Sequence, residues 1–140
     1  GRNLGMTQEN RRRNSHLEQE RGWKSLNAAR ILLDEGFPED AVSRAYAAAF
    51  HLARALLMEE GIQAKSHSGV RSQLSLHFVV AGRLQPDTVG QLARLQGLRE
   101  LSDDDSAAVF SPDMAREALQ EAETFCQTIR QLLSEPPPAG

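Results

Sequence analysis

The stretch that decides the fold is "SRAYAAAFHLARALL", residues Ser43 to Leu57. Alanine and leucine dominate it, and both are strong helix formers. At 100° per residue its apolar side chains, with two from the residues before it, cover well over half of the helix circumference, so the helix should have neighbours on several sides. These apolar positions are Ala41, Val42, Ala45, Tyr46, Ala48, Ala49, Leu52, Ala53, Leu56 and Leu57.

A narrow polar strip remains on this helix. Arg44 and His51 are seven residues apart, about two helical turns, so they point the same way. Arg54 lies on the same strip. Two interpretations stay open at this point: the strip is a solvent edge, or it faces a groove or a second subunit.

Working outward, glycine and proline divide the chain into further helices. Gly36 ends a first helix predicted over Ser15 to Glu35, whose apolar surface comes mostly from Trp23, Leu26, Ile31 and Leu33. The second helix starts at Pro38 and ends near Glu60. Three more are predicted over 68–81, from Pro86, and from Pro112 to about Leu133, with Ser66 and Ser111 as caps.

No segment alternates with the period of a strand, so the predicted fold is all-α, an antiparallel up-and-down bundle of about five helices. We expect residues 1–14 to be a disordered N-terminal segment and 15–134 to be the helical domain. The final 135–140, "EPPPAG", should be a disordered tail.

Composition narrows the function. The net charge of −3 argues against a surface that generally coats nucleic acid, and 5% aromatics argues against a base-stacking platform. Cys126 is the only cysteine, so an intrachain disulfide or multi-cysteine metal site is excluded. We expect no metal and no cofactor. No apolar run reaches the ~18 residues of a membrane span, so no membrane association and a cytoplasmic location are expected.

Arg99 is the anomaly of the fourth helix. It falls on the face that carries Leu92 and Leu95, where a buried guanidinium needs an acceptor. Asp103 follows four residues later, at pairing distance along a helix, and Asp104 comes next. We predict that Arg99 pairs with Asp103 or Asp104 and lies near the Arg44–His51 strip.

Three separated motifs resemble a known family. "EDAVSRAYAAAFHLARALL" (39–57), "AKSHSGVRSQLSLHFVVAGRL" (64–84) and "LQGLRELSDDD" (95–105) are similar, in this order, to the small stand-alone HEPN-domain proteins of bacteria and archaea. The resemblance implies a helical bundle, commonly a homodimer, often encoded beside a minimal nucleotidyltransferase as a toxin–antitoxin pair. In active members, an Arg and a His four to six residues later form a metal-independent RNase site.

The resemblance carries over residue by residue, with departures. Arg99 matches the family arginine near the end of the fourth helix, and Asp103 matches the aspartate of the family's A-D-Y segment, whereas Asp104 stands where that segment has tyrosine. Tyr46 matches the first tyrosine of a Y-Y pair whose second is replaced here by Ala47.

A further match lies in the second motif, where His67 corresponds to the histidine of the family's T-H-S-G segment. No Arg–His pair of this chain occupies the family's catalytic place. The resemblance therefore implies a degenerate RNase site.

Three functions follow as hypotheses. The first is a HEPN subunit that binds a nucleotidyltransferase, with RNA as a distal substrate, and with Arg44, Tyr46, His67, Asp103 and Asp104 as nucleic-acid or partner contacts. The second is an active endoribonuclease toxin with Arg99 and His51 as the catalytic residues; Arg99 would contact phosphate, and His67 is the alternative base. The third is a nucleotide-binding module, although the chain lacks a glycine-rich phosphate loop.

Overall fold

In the computed structural model, the helix predicted around Ser43–Leu57 runs from Pro38 to Glu59 and is named α2. The structure describes residues 7–104 and 110–134. Four other α-helices pack around α2, and the described residues contain no strand, so the predicted all-α bundle is confirmed. The other helices are α1 (Gln8–Asp34), α3 (His67–Leu74), α4 (Pro86–Ser102) and α5 (Pro112–Ser134).

The centre of the bundle is α2, which contacts each of the other four helices. All ten positions predicted to be apolar on this helix are buried. The core continues into the larger side chains of the neighbouring helices, among them Phe78 and Phe125. Because one chain already covers α2, its apolar circumference gives no reason to expect a second subunit.

The helix ends follow the predicted signals. The Ser66 hydroxyl accepts a hydrogen bond from the Gly69 N–H at 2.9 Å, and the Ser111 hydroxyl accepts one from the Met114 N–H at 3.1 Å. Gly36, at the end of α1, has φ of 89°, a backbone conformation that glycine adopts without steric cost. These ends bring the polar side chains of α2 and the start of α3 to one side of the bundle.

The prediction for the first helix was wrong at its start. Helix α1 begins at Gln8 rather than Ser15, because Thr7 caps it by accepting a hydrogen bond from the Asn10 N–H at 3.0 Å. Residues 8–14, predicted to be disordered, are therefore helical. Residues 1–6 and the predicted tail 135–140 lie outside the described residues.

The buried face of α1 also differs from the prediction. Leu26 is buried as predicted, but small and polar side chains fill most of this face, and Ile31 is 54% exposed. The Ser15 hydroxyl donates to the Ala55 carbonyl at 2.8 Å, and a Cβ added at Gly22 would lie 1.9 Å from Leu52 Cδ2. The two helices therefore approach closely, which large side chains on this face would prevent.

The outer side of α3 keeps apolar side chains in solvent. After Leu74 the helix widens into a π-helical turn, Ser75–Val79. Leu76 on this turn and Val80 just after it are among the most exposed large apolar side chains of the described residues. They form an apolar strip on the surface, here called the Leu76–Val80 strip.

Candidate functional site

A polar and aromatic band runs along α2, formed by Tyr46, Phe50, His51 and Arg54. Tyr46, Phe50 and Arg54 are spaced four residues apart, so they follow one another on neighbouring turns of the helix. The Tyr46 and Phe50 rings have centroids 6.0 Å apart, and the Arg54 guanidinium lies 5.8 Å from the Phe50 ring centroid. We call these four residues the α2 band.

At one end of the band, Tyr46 bonds to His67 of α3, with 2.5 Å between its hydroxyl oxygen and Nδ1. Burial raises the pKa of Tyr46 to about 12, although the nearby positive charges of Arg71 and Arg99 oppose that rise. The hydroxyl therefore keeps its proton at neutral pH and can donate it to Nδ1. In that arrangement a neutral His67 carries its own proton on Nε2.

Two arginines flank Tyr46. The Arg99 guanidinium carbon lies 5.8 Å from the Tyr46 ring centroid, and its Nε is 3.6 Å from Asp103 Oδ2. The predicted pairing of Arg99 with Asp103 is thus confirmed. Arg71 of α3 donates a hydrogen bond to Gln96 of α4 and so joins the two helices beside the band.

Arg99 is less buried than its sequence position suggested. Its side chain is 38% exposed. The expectation that it is buried on the leucine stripe was therefore wrong, and Leu92 and Leu95 lie inside the core without it.

At the other end of the band, Glu18 of α1 gathers three basic side chains. Its Oε2 is 2.8 Å from His51 Nδ1 and 3.2 Å from Arg54 Nη1, and its Oε1 is 3.7 Å from Arg21 Nη1. Glu18 is 4% exposed, so these partners replace the water that its carboxylate loses on burial. We call this set the Glu18 network.

Phe50 separates the two ends. Its ring centroid is 4.7 Å from that of His67 and 6.3 Å from that of His51. The structure therefore divides the two predicted catalytic residues: Arg99 belongs with Tyr46 and His67, whereas His51 belongs with Glu18. The histidine on Arg99's side is His67, joined to it through Tyr46.

The other predicted site residues differ in position. Arg44 is exposed on α2 and Asp104 is exposed just beyond α4. The sequence interpretation missed Glu18, Phe50 and Arg71. Glu18 had a readable signal, since it falls one helical turn from both Ser15 and Gly22, on a face that small residues mark as buried.

The arrangement can orient a histidine and present positive charge. In the Glu18 network, the carboxylate fixes Nδ1 of His51, and Nε2 is the ring nitrogen on the opposite side. Among the residues that the structure describes, no group of three or more His, Cys, Asp or Glu side chains could hold a metal ion. No helix in 7–104 or 110–134 is long and apolar enough to span a membrane.

Bundle and band together define a small helical protein with an arginine, tyrosine and histidine cluster on one side. The model of the HEPN domain matches residues 19–132, so the chain belongs to the HEPN family.

Relatives of known sequence agree with this assignment. A UPF0332 protein of Gloeobacter violaceus is 37% identical over 83% of this chain and 93% of its own length. A protein of Methanocaldococcus jannaschii named "Putative toxin MJ0605" is 33% identical over 80% of this chain and 83% of its own length.

Proposed function

We propose that this chain is the HEPN subunit of a toxin–antitoxin-like pair whose other member is a minimal nucleotidyltransferase. In this proposal Arg99 and its surroundings bind the partner and do not cleave RNA. The observation that carries it is the environment of Arg99, whose guanidinium pairs with Asp103. Glu100 lies close enough to Tyr46 for its charge to raise the pKa of that residue, so a phosphodiester approaching Arg99 beside the Tyr46 ring would meet like charge.

Two further observations support the proposal. His67 uses Nδ1 to bind Tyr46, and His51 is held by Glu18 on the far side of Phe50. General acid–base catalysis needs a proton-transfer group within hydrogen-bond reach of the same phosphodiester as the arginine. In addition, two relatives, both from Methanocaldococcus jannaschii, carry the words "Putative toxin" in their names.

The test compares the chain alone with the chain mixed with the product of the gene beside it. We expect a complex by size-exclusion chromatography, weakened by Arg99→Ala, and no RNA cleavage by the chain alone. Arg94→Ala is the matched control, because Arg94 also lies on α4 and also pairs with carboxylates, those of Asp87 and Glu121. Equal weakening by both variants, or no complex at all, would contradict the proposal.

A second candidate function, a metal-independent endoribonuclease, is favoured by the Glu18 network. A buried carboxylate that orients a histidine, with an arginine beside it, is an arrangement that can activate a ribose hydroxyl and bind a phosphate. RNA cleavage that His51→Gln abolishes and Arg99→Ala leaves intact would establish this function in place of the first. The nucleotide-binding alternative has no comparable observation in its favour.

The family resemblance also leads us to propose a homodimer, with the Leu76–Val80 strip as its contact. Apolar side chains this exposed gain free energy when a second copy covers them. Sedimentation at tens of micromolar should then give a dimer for the natural chain and a monomer for Leu76→Asp. A monomer in both cases would refute it. The cytoplasmic location expected from the sequence is part of this proposal.

A further inference from the structure

A cleft of about 470 Å³ opens next to the Glu18 network, between α1, the end of α2 and the segment that joins α2 to α3. Neither Arg99 nor the Leu76–Val80 strip lines it, and the proposed partner-binding function does not use it. Arg21, Arg54 and Lys65 all line it. We call it the α1–α2 cleft.

The charged groups of the cleft are arranged for an anion. Three cationic side chains line it against one carboxylate, that of Glu18, in a chain whose net charge is −3. Glu18 contacts one terminal nitrogen of Arg54 and one of Arg21, which leaves the other nitrogens of each guanidinium for a ligand. The buried carboxylate thus orients the Arg54 guanidinium beforehand, which lowers the entropy lost when it binds an anion, while the more exposed Arg21 adds positive charge beside it.

Most of the rest of the lining is aliphatic, and the polar side chains of Asn14 and Gln63 complete it. Leu17, Leu57, Met58, Ile62 and Ala64 contribute to it, and Leu57 is buried beneath the cleft. Among the described residues that line the cleft none is aromatic, so a nucleobase would find no ring on which to stack. An aliphatic body would instead cover side chains that are otherwise in contact with water.

We infer that the α1–α2 cleft binds a small amphiphilic anion: a carboxylate or phosphate head group held by Arg21 and Arg54, with an aliphatic body against Leu17 and Met58. The head and the body are both required. Guanidinium groups bind carboxylate and phosphate oxygens with similar geometry, so the cleft accepts either a carboxylate or a phosphate as the head group. This inference stands independently of the nucleotidyltransferase partner.

The test is isothermal titration calorimetry of the full chain with octanoate and octyl phosphate. Inorganic phosphate and acetate serve as head-only probes, and octanol serves as the body-only probe. We expect both amphiphiles to bind and each of the partial probes to bind at least about tenfold more weakly, the effect of losing about 1.4 kcal/mol of contact. Inorganic phosphate that binds as tightly as octyl phosphate, or octanol as tightly as octanoate, would overturn the inference.

Substitutions of cleft residues test whether octanoate binds in the α1–α2 cleft. Arg54→Gln should weaken the binding of octanoate about tenfold, as expected for the loss of a charge-assisted hydrogen bond. Arg83→Gln is the matched control, because Arg83 is similarly exposed (27% against 31%), pairs with Glu60 and lies over a phenylalanine ring, but does not line the cleft. Equal affinities in these two variants and the natural chain would refute the assignment.

Two further variants guard against a folding defect in Arg54→Gln. Arg21→Gln alters a side chain that is 70% exposed, so it should leave the fold intact and still weaken the binding of octanoate. Leu17→Ser removes a cleft side chain that is 52% exposed, and Ile31→Ser, outside the cleft, is its control at 54%. Weaker binding in both cleft variants with unchanged melting supports the inference; unchanged binding in both contradicts it.

Discussion

Two arginine–carboxylate pairs lie at opposite ends of the α2 band and differ mainly in burial. Arg54 is 3.2 Å from Glu18, whose side chain is 4% exposed, whereas Arg99 is 3.6 Å from Asp103, whose side chain is 59% exposed. A buried carboxylate has lost its water and depends on its partners, while an exposed one is solvated with or without them. Similar pairs in one molecule therefore differ in what they contribute to stability: the first depends on its partners to remain buried, and the second contributes little.

The comparison is tested most severely by Glu18→Gln. The amide cannot neutralise the basic groups around it, so we expect the free energy of unfolding to fall by about 2–3 kcal/mol, less than for a fully enclosed pair because Arg21 and Arg54 reach solvent. Urea denaturation measures this. Asp103→Asn is the control, and a loss for it as large as that for Glu18→Gln would remove the distinction between the two ends.

A smaller effect is expected from two matched glycine substitutions. Gly22→Ala places a methyl group against Leu52 and the Ala48 carbonyl, which should cost about 1–3 kcal/mol by overpacking. Gly97→Ala, on α4 near Arg99, meets no atom within 4 Å and should stabilise its helix by about 0.5–1 kcal/mol. Thermal melting shows whether each variant gains or loses stability. A stabilising Gly22→Ala would show that α1 and α2 are not in tight contact.

Tyr46 lies at the Arg99 end of the band and gives a pH test. Its pKa is raised from 10.0 to about 12, so the folded state holds its proton more tightly than the unfolded state does. This contribution to stability is fully present below pH 10 and is lost as the pH rises towards 12. Tyr46 is the only tyrosine of the chain, so ultraviolet absorbance of tyrosinate reports its titration alone.

Tyr46→Phe completes that test. Loss of the bond to His67 should cost about 1 kcal/mol at neutral pH, and the variant should lack this alkaline loss of stability. Denaturation at several pH values compares the two proteins. Titration of Tyr46 at its ordinary pKa in the folded protein would mean that the hydroxyl reaches solvent.

The smallest effect is expected for Arg99→Ala. Ion pairs exposed to this degree contribute about 0–1 kcal/mol, so melting should change little. This expected loss of stability is smaller than the loss that a buried Arg99 on the leucine stripe of α4 would cause. A loss comparable to that of Glu18→Gln would return Arg99 to a structural role.

Much of the fold was predictable because its signals are local. Pro38 and Pro112 start helices, Ser66 and Ser111 cap them, and the apolar period of α2 gives its buried side. The start of α1 was not predictable in this way, since residues 8–14 have no apolar period. Their helix is capped by Thr7, and its Arg11 side chain lies beside Gly61, which is fifty residues away along the chain.

The candidate site was less predictable, because it depends on which helices meet. The sequence named Tyr46, His67 and Arg99, and the structure brings them together. The sequence also led us to pair His51 with Arg99, whereas in the structure Glu18 of α1 is the partner of His51. Period and spacing within one helix carry no information about a carboxylate that arrives from another.

The face of α1 that carries the small residues Ser15 and Gly22 also has a consequence for how the chain folds. Close approach at Ser15 and Gly22 requires one alignment of α1 along α2, since a shift by one turn would bring Glu18 or Leu26 to the place of Gly22. The two helices are joined by only three residues, 35–37, so this alignment closes a short loop. We therefore expect the α1–α2 hairpin to form early, with Glu18 and His51 meeting before α4 brings Arg99 to Tyr46.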